Sequence, residues 1–323
     1  MLKLKNYLNW VLKIREIVAL ITLFTIIFIC LVLIGPIFLN INNIANILSV
    51  VSPIAITATA MTLLMISGEI DLSVGSVMAI TPTITSLLAL KGYNIFFSAL
   101  IGIGIAFFIG LINGILVTKF KIKSFIATFG MMVIVENIAH LLTGGWYIYG
   151  LPPSCTFFKI FGGEIFGHFP VMAIWLLVIA ICLWLLLDKT AFGNETLATG
   201  GNKEGAIKVG INTDRVKIIN FILTALTASF AGIIMLSYIG GIPSGIFGQN
   251  LAFDSIAAVI VGGTALSGGS GTIIGTVIGA FIVGALRNAT LITSISSYWA
   301  MAIVGLIILI AVILNTSLEL RRN

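Results

Sequence analysis

Ten apolar runs, each close to the length of a bilayer-spanning helix, fill most of this 323-residue chain. They lie at 17–35, 50–67, 72–90, 95–118, 124–143, 170–187, 217–239, 252–266, 272–290 and 298–315. A helix crossing perpendicular to the membrane needs ~20 apolar residues. In hydrocarbon no water satisfies the backbone, so each span must satisfy its own N–H and C=O groups. The expected fold is therefore all-α and polytopic, about ten transmembrane helices in a single domain over residues 1–323. Composition agrees, because 59% of residues are hydrophobic and only 9% are charged, too few to cover a soluble surface. No polar stretch exceeds about thirty residues, the scale of one loop rather than a domain. The run that starts at Ile17 lacks a small-residue cleavage site and exceeds a signal-peptide core, so it reads as the first span.

Two runs carry breaks. Glu69 and Asp71 sit in Gly68-Glu69-Ile70-Asp71-Leu72-Ser73-Val74-Gly75-Ser76, between two apolar segments. An acid in hydrocarbon costs several kcal/mol unless it meets water, a cation or donors. Irregular backbone at that depth is tolerated only where protein covers it or a cavity faces it. The second break is Gly262-Gly263-Thr264-Ala265-Leu266-Ser267-Gly268-Gly269-Ser270-Gly271, too glycine-rich to stay helical. Gly271, Gly275 and Gly279 follow at the small-xxx-small spacing that lets helix backbones approach. A pair of interrupted hydrophobic segments is the usual sequence pointer to a transporter site. Both hairpins run in the same sense, so they do not themselves form an inverted repeat.

The cations give the orientation. Ten spans with both termini inside put Lys3, Lys5, Lys13, Arg15, Lys119, Lys121, Lys123, Lys189, Lys203, Lys208, Arg215, Lys217, Arg321 and Arg322 on the cytoplasmic side. Only Lys91, Lys159 and Arg287 remain outside or near it, a strong positive-inside bias that nine spans would spoil. The bias also accounts for the net charge of +6 without nucleic acid. The longest cytoplasmic loop, 188–217, contains Asn202-Lys203-Glu204-Gly205-Ala206-Ile207-Lys208-Val209-Gly210, which predicts a short amphipathic helix capped by Asn202 and ended by Gly210. Such a helix suits the lipid surface and a partner's groove equally well.

Bland readings stand beside the functional ones. Asp71 is expected to cap the following helix, helped by Ser73 and Ser76, and Asp254 to cap the 252–266 span. Glu136 and His140, four residues apart on one helical face, suit a satisfied pair better than a proton relay. Asn113, deep in a span, can bond a neighbouring helix or a solute hydroxyl. Trp146, Tyr147, Tyr298 and Trp299 suit interfacial anchoring. Cys30, Cys155 and Cys182 have neither metal spacing nor a disulfide pattern and read as packing residues, and no metal or cofactor is expected. Leu266-Ser267-Gly268-Gly269 spells a nucleotide-contacting ATPase signature, but the chain has no phosphate-binding Gly-x-x-x-x-Gly-Lys loop. Intramembrane hydrolase motifs are also lacking.

Three segments carry a family resemblance: GEIDLSVGS at 68–76, GGNKEGAIKVGINTDRVK at 200–217 and DSIAAVIVGGTALSGGSGTIIGTVIGA at 254–280. Together with Ser296-Ser297-Tyr298-Trp299, they resemble the permease subunits of bacterial ABC importers for monosaccharides, including the ribose, xylose, galactose and autoinducer-2 systems. The resemblance runs from about Asn43 to Asn315. It implies a multi-pass protein of the bacterial inner membrane that works as a dimer of identical or homologous permeases. It further implies cytoplasmic ABC ATPase subunits and a periplasmic or lipid-anchored sugar-binding protein. Gly201, Asn202, Glu204, Ala206, Gly210, Ile211 and Asn212 would then form the coupling element that docks on the ATPase. Glu69, Asp71, Ser73, Ser76, Asn113, Asp254, Thr264 and Ser267 are the candidates for a pathway or gate. The chain departs from the family at Glu69, where many members have a second glycine, at Gly205, where alanine is common, and at Arg287-Asn288-Ala289 in place of Asn-Asn-Gly. The competing reading is a proton- or ion-coupled sugar carrier using Glu69, Asp71, Glu136, His140 and Asp254.

Overall fold

The computed structural model describes residues 15–145, 151, 155–241 and 247–293, and in the last apolar run residues 299, 302, 305, 306, 309 and 313. The helices are α1 (Arg15–Ile34), α2 (Ile41–Ile66), α3 (Val74–Leu90), α4 (Ile95–Thr118), α5 (Ser124–Thr143), α6 (Thr156–Gly162), α7 (Met172–Lys189), α8 (Ala191–Gly201), α9 (Lys203–Lys208), α10 (Thr213–Ile239), α11 (Phe247–Val261) and α12 (Ile273–Ile292). Seven of these (α1, α2, α4, α5, α7, α10 and α12) are long and apolar enough to span a bilayer. Val74–Leu90 and Asn250–Val261 are shorter apolar helices, the arms of the two broken hairpins. The expected tenth span, 298–315, falls largely outside the described residues, as do Trp146, Tyr147 and Tyr298. Trp299 is exposed.

Among the described residues the all-helical expectation has one small exception. Glu164–Ile165 (β1) pairs antiparallel with Phe169–Pro170 (β2), closing a hairpin between α6 and α7. The span expected at 50–67 starts nine residues earlier, at Ile41. Asn40 starts it by accepting the N–H of Asn42 at 3.1 Å, and Asn43 donates to the Phe38 carbonyl at 2.7 Å. These asparagines look like loop in the sequence, yet they serve as cap and tie. The run expected at 252–266 ends as helix at Val261, where the glycines take over.

α2 is the central post. The most apolar window of α2 is 78% buried, against 11% for α1, which turns Phe24, Phe28 and Leu33 outward. An apolar side chain on that rim needs lipid around it, as in any spanning bundle. The many hydroxyls of α2 are satisfied within the helix. Ser52, Thr57 and Thr62 each donate to the carbonyl four residues back, and Thr62 also meets Thr276 of α12 at 2.6 Å.

Glycines set the helix separations. A Cβ on Gly279 would overlap the Ala258 carbonyl oxygen, and one on Gly275 the Gly262 carbonyl oxygen, so α11 and α12 touch backbone to backbone. Gly110 and Gly114 of α4 seat against Ala225 and Ile218 of α10 in the same way. Without a hydrophobic force between helices in lipid, close packing of this kind supplies much of the association. Gly279→Val is therefore expected to destabilise the fold by about 1–3 kcal/mol or more. Gly104→Val, with no atom within 4 Å of the added carbon, is the control that leaves the thermal midpoint in detergent nearly unchanged.

Candidate functional site

The break between α2 and α3 is held by bonds within its own turn and by side chains of α4 and α5. Its backbone leaves the helix through Gly68 at φ 86°, a conformation L side chains rarely adopt. Asp71 is fully buried, and its Oδ1 accepts from the Ser73 N–H at 2.7 Å and the Ser73 hydroxyl at 2.6 Å. It therefore closes the turn just ahead of α3 rather than capping a first-turn N–H of the helix. Asn113 of α4 donates to Ser73 Oγ at 2.8 Å and approaches Asp71 Oδ2 at 3.4 Å. From α5, Thr128 Oγ1 accepts the Leu72 N–H at 3.1 Å and Ser124 Oγ the Ile70 N–H at 3.4 Å. Ser76 donates to the Ser73 carbonyl at 2.8 Å. The expected cluster of Asp71, Ser73, Ser76 and Asn113 thus exists, with most of its bonding directed at the protein itself.

Glu69 has a partner that the sequence did not reveal. Lys217 Nζ, in the first turns of α10, lies 2.5 Å from Glu69 Oε1, and the two side chains are only 11% and 14% exposed. The lysine reads as one more cytoplasmic-loop cation because 148 positions separate the two residues.

The second break touches the first. The Gly269 N–H donates to the Ile66 carbonyl at 2.8 Å. Gly200, at the end of α8, packs so closely that a Cβ there would overlap the Ile66 carbonyl oxygen and lie 2.7 Å from Gly269 N. Three chain breaks thus meet at one backbone node. Thr264, inside the second turn, is buried, whereas Ser267 is exposed. Among the described residues, Asn113 Oδ1, Thr199 Oγ1, Asn220 Oδ1 and Thr264 Oγ1 are buried side-chain atoms with no protein hydrogen-bond partner.

Asp254 belongs elsewhere. The expectation that it caps its helix is corrected, since α11 begins at Phe247 and Asp254 lies within it. Arg287 of α12 sets Nε 2.5 Å from Asp254 Oδ2 and donates from Nη2 to Oδ1 at 2.8 Å. An ion pair that also carries a charge-assisted hydrogen bond is the arrangement that makes buried charge tolerable. The unusual arginine noted in the sequence is thereby explained.

The 188–217 loop holds one more helix than expected, α8, started by Thr190, which accepts the Gly193 N–H at 3.3 Å. Asn202 caps α9 by accepting the Gly205 N–H at 2.9 Å. The Gly210 N–H reaches the Ile207 carbonyl at 3.0 Å and the Ile211 N–H the Ala206 carbonyl at 3.0 Å, a helix stop built on Gly210 at φ 88°. Asn212 then caps α10 through the Arg215 N–H at 3.0 Å. Ala206 faces inward, whereas Ile207 and Val209 are 54% and 76% exposed beside Lys203, Glu204 and Lys208. Ile207 and Val209 are surface residues that the sequence pattern alone did not single out. At the opposite end, a polar cavity of about 180 Å³ is lined by Asn42, Asn46, Glu164, His168 and Tyr238.

Known proteins share this sequence pattern. Residues 43–312 match the family described as branched-chain amino acid transport system / permease component. The chain belongs to that family of permeases. It is 36% identical over 261 residues to a ribose import permease protein of Bacillus subtilis (strain 168), covering 80% of each chain. It is also 36% identical to a xylose/arabinose import permease protein of Sulfolobus acidocaldarius, over 80% of this chain and 73% of the relative. An autoinducer 2 import system permease protein of Yersinia pestis is 35% identical over 79% and 71% of the two chains. No solved structure matches the chain. The permease is thus a multi-pass protein of the inner membrane, in agreement with the seven long apolar helices among the described residues.

The Asp254–Arg287 pair generates a stability prediction. Arg287→Met alone strands a buried carboxylate and should cost about 3–5 kcal/mol. Asp254→Leu combined with Arg287→Met should recover most of that loss, as read by thermal unfolding in detergent.

Proposed function

We propose that this permease is the membrane subunit of an ATP-driven importer for a monosaccharide or related polyol. The observation that carries the reading is that, of the relatives named above, alike over about four-fifths of the chain, two are named for import of ribose and of xylose or arabinose and the third for import of autoinducer 2. The chain is then one transmembrane domain, residues 1–323, with ten spans and both termini cytoplasmic. The lysine-rich end with the two breaks and the 188–217 loop faces the cytoplasm, by the positive-inside bias.

In this reading α9 is the coupling helix. Its exposed Ile207 and Val209, flanked by charges, suit a groove on an ATPase subunit. Gly201, Asn202, Ala206, Gly210, Ile211 and Asn212 shape the element, and Glu204 contributes to its outer face. The opposite end, with its polar cavity, receives a sugar-binding protein. A second permease, identical or homologous, completes the pathway. The subunit performs no covalent step, because ATP hydrolysis belongs to the separate ATPase. Closure of the ATPases would draw the coupling helices together and reorient the spans in alternating access. The pathway needs polar groups but only a loose fit, since tight binding slows release.

Ion pairing weighs against the carrier alternative. Glu69 and Asp254, two of the groups it would protonate, are held by Lys217 and Arg287. A zwitterionic amino acid calls for opposed fixed charges, and these pairs already occupy two of the acids, whereas an uncharged polyol calls for none. Reconstituted with its ATPase and binding protein, the permease should accumulate labelled ribose or xylose with ATP and not leucine. Sugar uptake by the chain alone down a proton gradient would overturn the proposal. Glu204→Lys and Val209→Asp should each reduce co-purification of the ATPase several-fold, and unchanged assembly would reject α9 as the docking element.

A further inference from the structure

The exposed helix α9 is anchored on both flanks to the same four residues. On its N-terminal side, Gly200 lies against the Ile66 carbonyl. On its C-terminal side, Lys217 pairs with Glu69 at 2.5 Å. Ile66–Glu69 is the first tip, where α2 ends, and Gly269 of the second tip bonds to the same Ile66 carbonyl. A displacement of α9 therefore reaches both broken hairpins through one short stretch of backbone. The two flanks act differently. Gly200 transmits a push by backbone contact, whereas contact alone cannot transmit a pull. An ion pair between largely buried side chains resists separation, because parting them leaves each charge poorly solvated.

We propose that Glu69 and Lys217 are positioning residues for transport: a latch that makes the first hairpin tip follow α10 and α9 in both directions of the cycle. This rests on the reading of α9 as the ATPase-docking helix. The latch accounts for the acid at position 69, which neither the Asp71 turn nor the Asn113 bond uses.

The test uses the full importer, with ATPase and binding protein, in proteoliposomes. Three variants are compared with wild type: Glu69→Gln, Lys217→Met and the exchange Glu69→Lys with Lys217→Glu. The readouts are ATPase co-purification, ATP hydrolysis and sugar taken up per ATP hydrolysed. Each single variant should keep its ATPase and hydrolyse ATP, while uptake per ATP falls about tenfold, within the range of coupling between contacting residues. The exchange should return uptake per ATP to within about threefold of wild type, since it restores the pair with its sense reversed. A merely structural role would lower protein yield and all three readouts together. Unchanged uptake per ATP in both single variants would overturn the latch. So would loss of ATPase binding in them, or an assembled exchange variant no better than the singles. Failure of the wild-type chain to bind any ATPase would instead overturn the docking of α9, a separately readable outcome.

Discussion

The architecture depends on how two interrupted helices satisfy their backbone where no water is available. A spanning helix that stops short leaves carbonyls and amides bare, each costing several kcal/mol in hydrocarbon. Here the ends of the breaks are brought together. The Ile66 carbonyl accepts from Gly269, and the amides of Ile70 and Leu72 find hydroxyls on α5. Asp71 and Asn113 close the remaining turn. Neither hairpin is self-sufficient, so the two tips and α8 form a single node.

That requirement extends into the packing. Backbone can meet backbone only where side chains are absent, and the node is built from Gly200, Gly268 and Gly269. The same rule brings α11 onto α12 through Gly275 and Gly279. Charge follows a second rule: the acids at 69 and 254 each face a cation across a helix interface. One pair ties the first tip to α10, and the other ties the two arms of the second hairpin.

Much of the local structure was legible because it depends on neighbours in sequence. Asn202 before a short amphipathic helix and Gly210 after it are a start and a stop that function in any context. The glycine spacing after residue 271 foretold a close crossing, and the helix breaks lie where glycine and acid interrupt the apolar runs. The misreadings have physical causes. α2 begins at Ile41 because its asparagines bond the preceding turn, and α8 forms in a segment without strong periodicity because it packs beneath α7 and α10. Asp254 was read as a cap from its position near the start of an apolar run, but the helix begins earlier and its partner stands 33 residues away.

From the residues alone came the membrane environment, the two breaks and the short helix of the long loop, since each follows from hydropathy or from contacts a few residues apart. The membership in a permease family was legible for the same reason, through short motifs in order. Only the tertiary structure decided that the breaks meet, that Glu69 answers Lys217 and that Asp254 answers Arg287. Those choices depend on which helices lie side by side, and pairing across 148 or 33 positions leaves no periodic trace in a single chain.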